Sequence, residues 1–430
     1  MSVRPLTLAA LSLGLAATPV LAPALLSPSA VAAGSKRASI GNPVEGNLGY
    51  NAFVEQDTTL GSTEAEGPVA TGGNLTFGSG YNVSLHTPGT FTAPGDDHPA
   101  ALVVGGRVDF AGSSPDGVLK VLMDGYTKIG DMTGALAVDR DVNGAQVQTQ
   151  VVAAGAAHNS VPRIEMTLHQ PLASVGPAPG LIDFTGAFAT FRERARAMAA
   201  CPQNVTLVDD AGNPLPDGPY PPGVNGHLTL TPGRTNVLHL TGQQMNALGE
   251  ISFRNQPTED TPLVIVTDTT AEGGVFVWDN PNTPGISGPQ APYVLWDFPD
   301  ATDLTMATGD SLEGTIYAPS AHLKDINGSN IEGDVIARAY DAGPLVDGQS
   351  VVAGELHYRP FDAVVDCEST SPSPSPSPSG SPAPSPSPSP SPSTTGPAPS
   401  PSASRTLPAP SPTGPGGELP ATGAGPSLPL

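Results

Sequence analysis

The sequence predicts an all-β protein, a parallel β-helix (solenoid) with one long α-helix packed alongside and a disordered Pro/Ser-rich tail. Three observations point there. First, short apolar β-formers recur between Pro292 and Pro360: Leu295, Ile316, Ile336 and Val352 stand 21, 20 and 16 residues apart. Gly, Asn, Asp and Pro, the turn-formers, lie between them. Strands this short cannot each bury a face alone, but stacked as rungs they can. A Greek-key sandwich gives turn signals at steps of about 8–12 residues instead. Second, segments echo one another. TGGNLTFGSG from Thr71 matches VGGRVDFAGS from Val104 at an offset of 33, with a Pro/Gly/Asp-rich insert over 86–100 between them. EGPVATGG (66–73) likewise echoes EGDVIA (332–337). The paired glycines before an alternating strand suit a tight corner with positive φ. Third, residues 184–199 carry a helical stripe. Phe184, Ala187, Phe188, Phe191, Ala195, Met198 and Ala199 fall on a 3.6-residue period. Asp183 can cap this helix, and Arg192, Arg194 and Arg196 lie at or off the stripe's edge in its later turns, where positive charge suits the helix dipole.

Composition bounds the function. The 430 residues include 50 Gly and 51 Pro, with 5% aromatic and 13% charged residues. The formal charge of −23 argues against nucleic acid and anionic membrane surfaces, whose phosphates call for Lys and Arg. No Asp-x-Asp-x-Asp-Gly calcium loop ending in Glu is present.

In chain order, residues 1–32 read as a secretion signal. Arg4 is its positive region, Leu6 to Leu26 its largely apolar run, and Ala30-Val31-Ala32 its small-residue site, with cleavage between Ala32 and Ala33. Residues 33–43 are a polar lead-in, and 44–368 form the folded domain. Its first strand-rich block includes NAFVEQDTTL, ALVVGGRVDF, ALAVDR, AQVQTQVV and RIEMTLH, the last three alternating as strands with one wet face do. After the helix comes a second block: NVTLVDD, HLTLTP, NVLHL, GEISF, PLVIVTD and GGVFVWD. LVIV (263–266) is continuous rather than alternating, as a strand buried on both faces would be. Trp278 and Trp296 read as core, with stacking on sugar rings as the alternative. Cys201 and Cys367 are the two cysteines, and an even pair in an exported chain reads as a disulfide. Residues 369–418 are a Ser/Pro-rich disordered stalk of polyproline II character. Residues 419–430 hold Leu419, Pro420, Ala421, Thr422 and Gly423, followed by a shortened tail, AGPSLPL, where a sorting signal would carry an apolar span.

Catalytic constellations are thin. Asp96-Asp97 and Asp209-Asp210 could be paired acids of a polysaccharide-cleaving β-helix, but both pairs sit in Pro/Gly-rich loops. GxSxG, HExxH, CxxC and GxxxxGK[ST] are absent. His322 and His357, on expected adjacent rungs, could approach each other and take metal with help from Glu355; half-exposed strand histidines are the plainer reading, and no metal or cofactor is expected.

Taken together, EGPVATGGNLTF (66–77), ALVVGGRVDF (101–110), VLWDFPDATDLTM (294–306), GTIYAPSAHL (314–323), EGDVIARA (332–339) and ELHYRPFD (355–362) resemble the choice-of-anchor A surface proteins of Gram-positive bacteria over residues 44–367. GTIYAP and EGDVIA also look like segments of ice-binding-type β-solenoids, which set a helix beside a right-handed β-helix. LPATG matches the LPXTG motif read by sortases. The first resemblance implies an adhesive domain; the motif implies attachment of Thr422 to cell-wall peptidoglycan by a sortase, with a host-matrix or glycan ligand. The expectation is thus a secreted cell-surface adhesin or structural module, not an enzyme, displayed on a stalk. A polysaccharide-active enzyme and an ice-binding protein are the alternatives. Thr runs at 228–231 and 267–270 are local rather than rung-spaced, so the second likeness concerns fold.

Overall fold

The computed structural model describes residues 39–367. The signal-cleavage positions Ala32 and Ala33, the stalk and the sorting residues Leu419 to Gly423 lie outside them.

The protein is mostly β-sheet, and its strands pair overwhelmingly in parallel. A 13-stranded and a 9-stranded sheet carry three ladders between them. Ladder A runs through Asn236–Thr241, Leu263–Asp268, Val294–Asp297, the first part of Thr315–Asp325, the first part of Val335–Ala342, Ala52–Val54, Val69–Thr71, Ala100–Val104 and Tyr126–Ile129. Ladder B runs through Val275–Asn280, Asp303–Gly309, the later parts of Thr315–Asp325 and Val335–Ala342, Thr58–Leu60 and Leu75–Phe77. Ladder C runs through Leu312–Glu313, Ile331–Glu332, Leu356–His357, Glu64–Ala65, Tyr81–Val83, Val118–Val121 and Arg163–Met166. The chain visits A, B and C in turn. Thr315–Asp325 shows how: Thr315 to Tyr317 pair with Leu295 to Asp297, and after a register shift His322 to Asp325 pair with Asp303 to Met306. An antiparallel hairpin, Ala135–Arg140 with Gln146–Ala153, extends ladder C.

The order along ladder A departs from chain order. The strand nearest the N-terminus, Ala52–Val54, sits in the middle, paired on one side with Val335 to Ala337 and on the other with Val69 to Thr71. The chain builds from there to Tyr126–Ile129, must return to the far end, and then builds back to its own start. Nine strands at about 4.8 Å span roughly 38 Å. The helix Phe184–Ala199 covers about 24 Å of that return, and flanking loops cover the rest.

This helix has the predicted bounds and cap, with the Gly186 N–H donating to Asp183 Oδ1 at 2.9 Å. Its stripe of Phe184, Phe188, Phe191, Ala195 and Met198 packs on the outward side of ladder A, against Phe53, Val264, Leu295, Tyr317 and Ile336. The inward residues Leu263, Ile265, Trp296, Ile316 and Val335 fill the main core. Ladder A is therefore buried on both sides, as the continuous LVIV implied. Arg192 pairs with Glu55, and Arg194 donates to the Pro43 carbonyl, tying the helix to the lead-in. Phe188 is fully buried, stacked on Phe53 at 5.9 Å and edge-on to Phe191 at 5.3 Å. Phe188→Ala is expected to cost about 3–5 kcal/mol in urea unfolding; a loss below about 1 kcal/mol would mean that the helix is not docked as described.

Two α-helices besides the expected one are present among the described residues, Leu172–Val175 and Gly242–Ala247. The latter opens with a reciprocal capping box between Thr241 and Gln244, which a short apolar stretch had hidden. NVTLVDD does not form the predicted strand. Asn204 instead closes one end of ladder A, donating to the Thr235 carbonyl and accepting from the Val237 N–H. Gln170 does the same at the other end, accepting from the Thr127 N–H and donating to its carbonyl, both at 2.8 Å. An amide side chain thus stands in for the missing neighbour strand and blunts the sheet edge.

The sequence echo is literal stacking. Thr71 pairs with Val104 and Leu75 bridges Val108, each at the offset of 33. The reason for the glycines differs from the one expected. Gly72, Gly73, Gly105 and Gly106 have no positive φ. A Cβ on Gly105 would meet the Gly72 carbonyl oxygen at 2.7 Å, so glycine serves close approach of stacked corners.

Cys201 and Cys367 are disulfide-bonded, with Cα atoms 5.3 Å apart. The bond joins the end of the long helix to a C-terminal segment whose Val365 pairs with Gly41.

Candidate adhesive face

Ladder B presents an open face. Along Val275–Asn280 burial alternates strictly, with Phe276 and Trp278 inward and Val275, Val277 and Asp279 exposed. The same alternation continues through Asp303–Gly309 and into Thr58–Leu60 and Leu75–Phe77. Parallel register lines up the outward side chains. One row reads Val277, Thr305, Lys324, Asp341, Thr59, Thr76. Beside it run Val275, Asp303 and His322. Lys324 Nζ to Asp303 at 2.9 Å and His322 Nε2 to Asp341 at 2.8 Å bond across the rows, and Thr76 Oγ1 to Thr59 Oγ1 at 3.0 Å bonds along one. Such half-exposed ion pairs add little stability, but they pin the side chains in a fixed polar pattern. The signal for this face in the sequence was the alternation in TTL, LTF and DLTM; the row itself required the register.

Both tryptophans are fully buried, 5.5 Å apart, and the Trp296 indole donates to the Glu313 carbonyl. Neither is available for stacking on a sugar. His322 and His357 do not meet. His322 belongs to ladder B and bonds Asp341, whereas His357 belongs to ladder C. The strand count between them suggested neighbouring rungs but could not show the corner that separates them. His357 sits among Glu332 at 2.5 Å, Glu355 at 3.1 Å and Glu66 at 3.9 Å. Burial pulls its pKa down, but the Glu355 bond and the Glu332 and Glu66 charges outweigh this and hold the imidazole above its ordinary range. Among the described residues no group of three or more His, Cys, Asp or Glu is placed to hold a metal.

The two acid pairs are engaged locally. Asp96 forms a buried ion pair with Lys128 at 2.7 Å and accepts from Ser174, and Asp97 accepts from the Tyr126 hydroxyl at 2.6 Å. Asp209 accepts turn N–H groups from Ala211 and Asn213, and Asp210 meets His227 at 2.7 Å. None is arranged as a general acid facing a general base across a cleft.

Residues 43–350, well over half of the chain, match the family described as "Putative Ice-binding-like adhesive domain". The chain belongs to the ice-binding-like adhesive domain family. The crystal structure of ice-binding protein from an Antarctic ascomycete, Antarctomyces psychrotrophicus, aligns over 73% of this chain and 98% of its own, at 14% identity and a TM-score of 0.24. No curated protein matches the sequence. In this adhesive domain the outward row of ladder B mixes Thr with Val277, Lys324 and Asp341, so Thr repeats on adjacent strands only at Thr59 and Thr76 and not along the whole row. No helix among the described residues is long and apolar enough to cross a membrane.

Proposed function

We propose that the protein is a secreted adhesive surface module, a parallel β-helix whose ladder B is the contact face. The Ser/Pro-rich stalk carries it away from the wall, and a sortase joins Thr422 of LPATG to peptidoglycan. The cyclic visits to three parallel ladders support the coiled architecture. The observation that carries the adhesive reading is the open face of ladder B, where outward polar groups are held in register in a chain of this family. A rigid, patterned face needs no ordering when it binds, which favours recognition of an extended ligand.

The mixed row weighs against ice, whose recognition calls for a regular repeat, and the locally engaged acids weigh against polysaccharide cleavage. The test is to probe the full chain against glycan and matrix-protein arrays, with reducing-end release and thermal hysteresis measured alongside. Retained binding without release or hysteresis is expected. Hysteresis, or release of sugar ends, would replace the adhesive reading; so would failure to bind anything when cells lacking the protein attach normally.

A further inference from the structure

Ladder B's outward rows lead into a cleft of about 580 Å³ whose lining includes Asn74, Arg107, Asp109 and Phe110 beside Ala153 and Pro162, within the size range of small-molecule sites. The rows extend there because Leu75 bridges Val108 in parallel, setting Asn74 beside Arg107 and Thr76 beside Asp109. The polar atoms are only partly used. Asn74 Oδ1 accepts from the Arg107 backbone N–H at 3.0 Å, and its Nδ2 has no partner among the described residues. Asp109 Oδ1 accepts from Gly112 at 2.9 Å, which leaves Oδ2 available. Arg107 reaches Asp131 through Nε at 3.9 Å, so its two terminal nitrogens are unpaired among the described residues. Phe110 is held edge-on to Phe77, with ring centroids 6.3 Å apart.

Two neighbouring sets of donors and one charged acceptor line the same cleft as a fixed aromatic ring. A vicinal diol both donates and accepts, and a pyranose presents an apolar C–H face to such a ring. A polyanion would bring its charge to Asp109 on a chain of net charge −23. We propose that this cleft is a subsite for a neutral saccharide, with Arg107 and Asn74 donating to its hydroxyls and Asp109 accepting from them. The assignment rests on the adhesive reading and adds its ligand class.

The full chain is probed on arrays of neutral glycans and of matrix proteins, and neutral oligosaccharides that score are titrated calorimetrically. Arg107→Met and Asp109→Asn are each expected to weaken binding by about tenfold or more, the loss of one hydrogen bond to a charged group. Lys120→Met, exposed on ladder C away from this face, should bind as the parent does. Melting temperatures report folding; Asp109→Asn keeps the Gly112 bond and decides alone if Arg107→Met fails to fold. Binding of neutral glycans that neither variant weakens overturns the subsite. Capture of matrix proteins without any neutral glycan overturns it too and leaves the adhesive reading standing; capture of neither overturns both.

Discussion

Thermal stability is expected to fall as pH rises from about 4 to about 8. Asp325 and Asp334 are buried within the fold, at 1% and 0% exposure. Burial pushes the pKa of each up to about 8, partly offset by the Asn327 backbone N–H at Asp325 and by Asn51, the Phe361 backbone and Asn47 at Asp334. Asp297 is shifted well upward by the same cause, and neither of its carboxyl oxygens has a partner among the described residues. For an acid whose folded pKa is raised, the stabilising contribution is full below the unfolded value near 4. It shrinks across the interval above that and is lost once pH passes about 8. For Asp325 or Asp334 the linkage is on the order of 4 kcal/mol between acid and pH 7. His357, held above its ordinary range, contributes in the same direction: its charged form is favoured in the fold, and that gain disappears as it deprotonates. Asp97, Asp131 and Asp260, which are exposed, and the half-buried Asp139 and Asp209 are shifted down by hydrogen bonds and act oppositely, favouring the fold above about pH 4. A stability maximum on the acid side of neutrality results. Calorimetric melting from pH 4 to 9 tests it, with Asp325→Asn and Asp334→Asn expected to melt higher than the parent at pH 9 and to flatten the slope. A melting temperature that climbs toward pH 8 would refute the assignment.

Reduction of Cys201–Cys367 is the second large effect. The bridge spans a sequence separation of 166, worth about 5 kcal/mol by chain entropy. It joins the helix that carries the chain back along ladder A to the segment that pairs Val365 with Gly41. Cys367→Ala should therefore loosen the helix end and the terminal bridge together, and lower the melting temperature by about 5–10 °C. Hydrogen exchange should rise first at Ile40, Val365 and the last turn of the helix. An unchanged melting temperature on complete reduction would show that ladder packing alone holds these segments.

Elements that bury their own pattern were legible. The stripe from Phe184 to Met198, the continuous LVIV and the Cys pair each signal their partner through local periodicity or count. Elements whose meaning depends on a distant neighbour were not. Asn204 reads as the start of an alternating strand, yet its amide closes a sheet end. Asp325 and Asp334 read as turn residues, yet they are interior acids. Arg107, Asn74 and Asp109 lie in the repeated VGGRVDF and TGGNLTF segments, but nothing in those strings says that stacking brings them to one cleft.

From the sequence by itself came the kind of unit: short strands that need stacked neighbours, one amphipathic helix to cover a face, and a paired thiol. Tertiary structure alone decided which strands neighbour one another, and so placed the N-terminal strand mid-sheet against residues 335–337. The physical reason is that a short strand's apolar alternation specifies which side faces inward, whereas its hydrogen-bonding edges are nearly alike from strand to strand. Neighbour choice is left to the corners, to the returning helix and to the side chains that close each end.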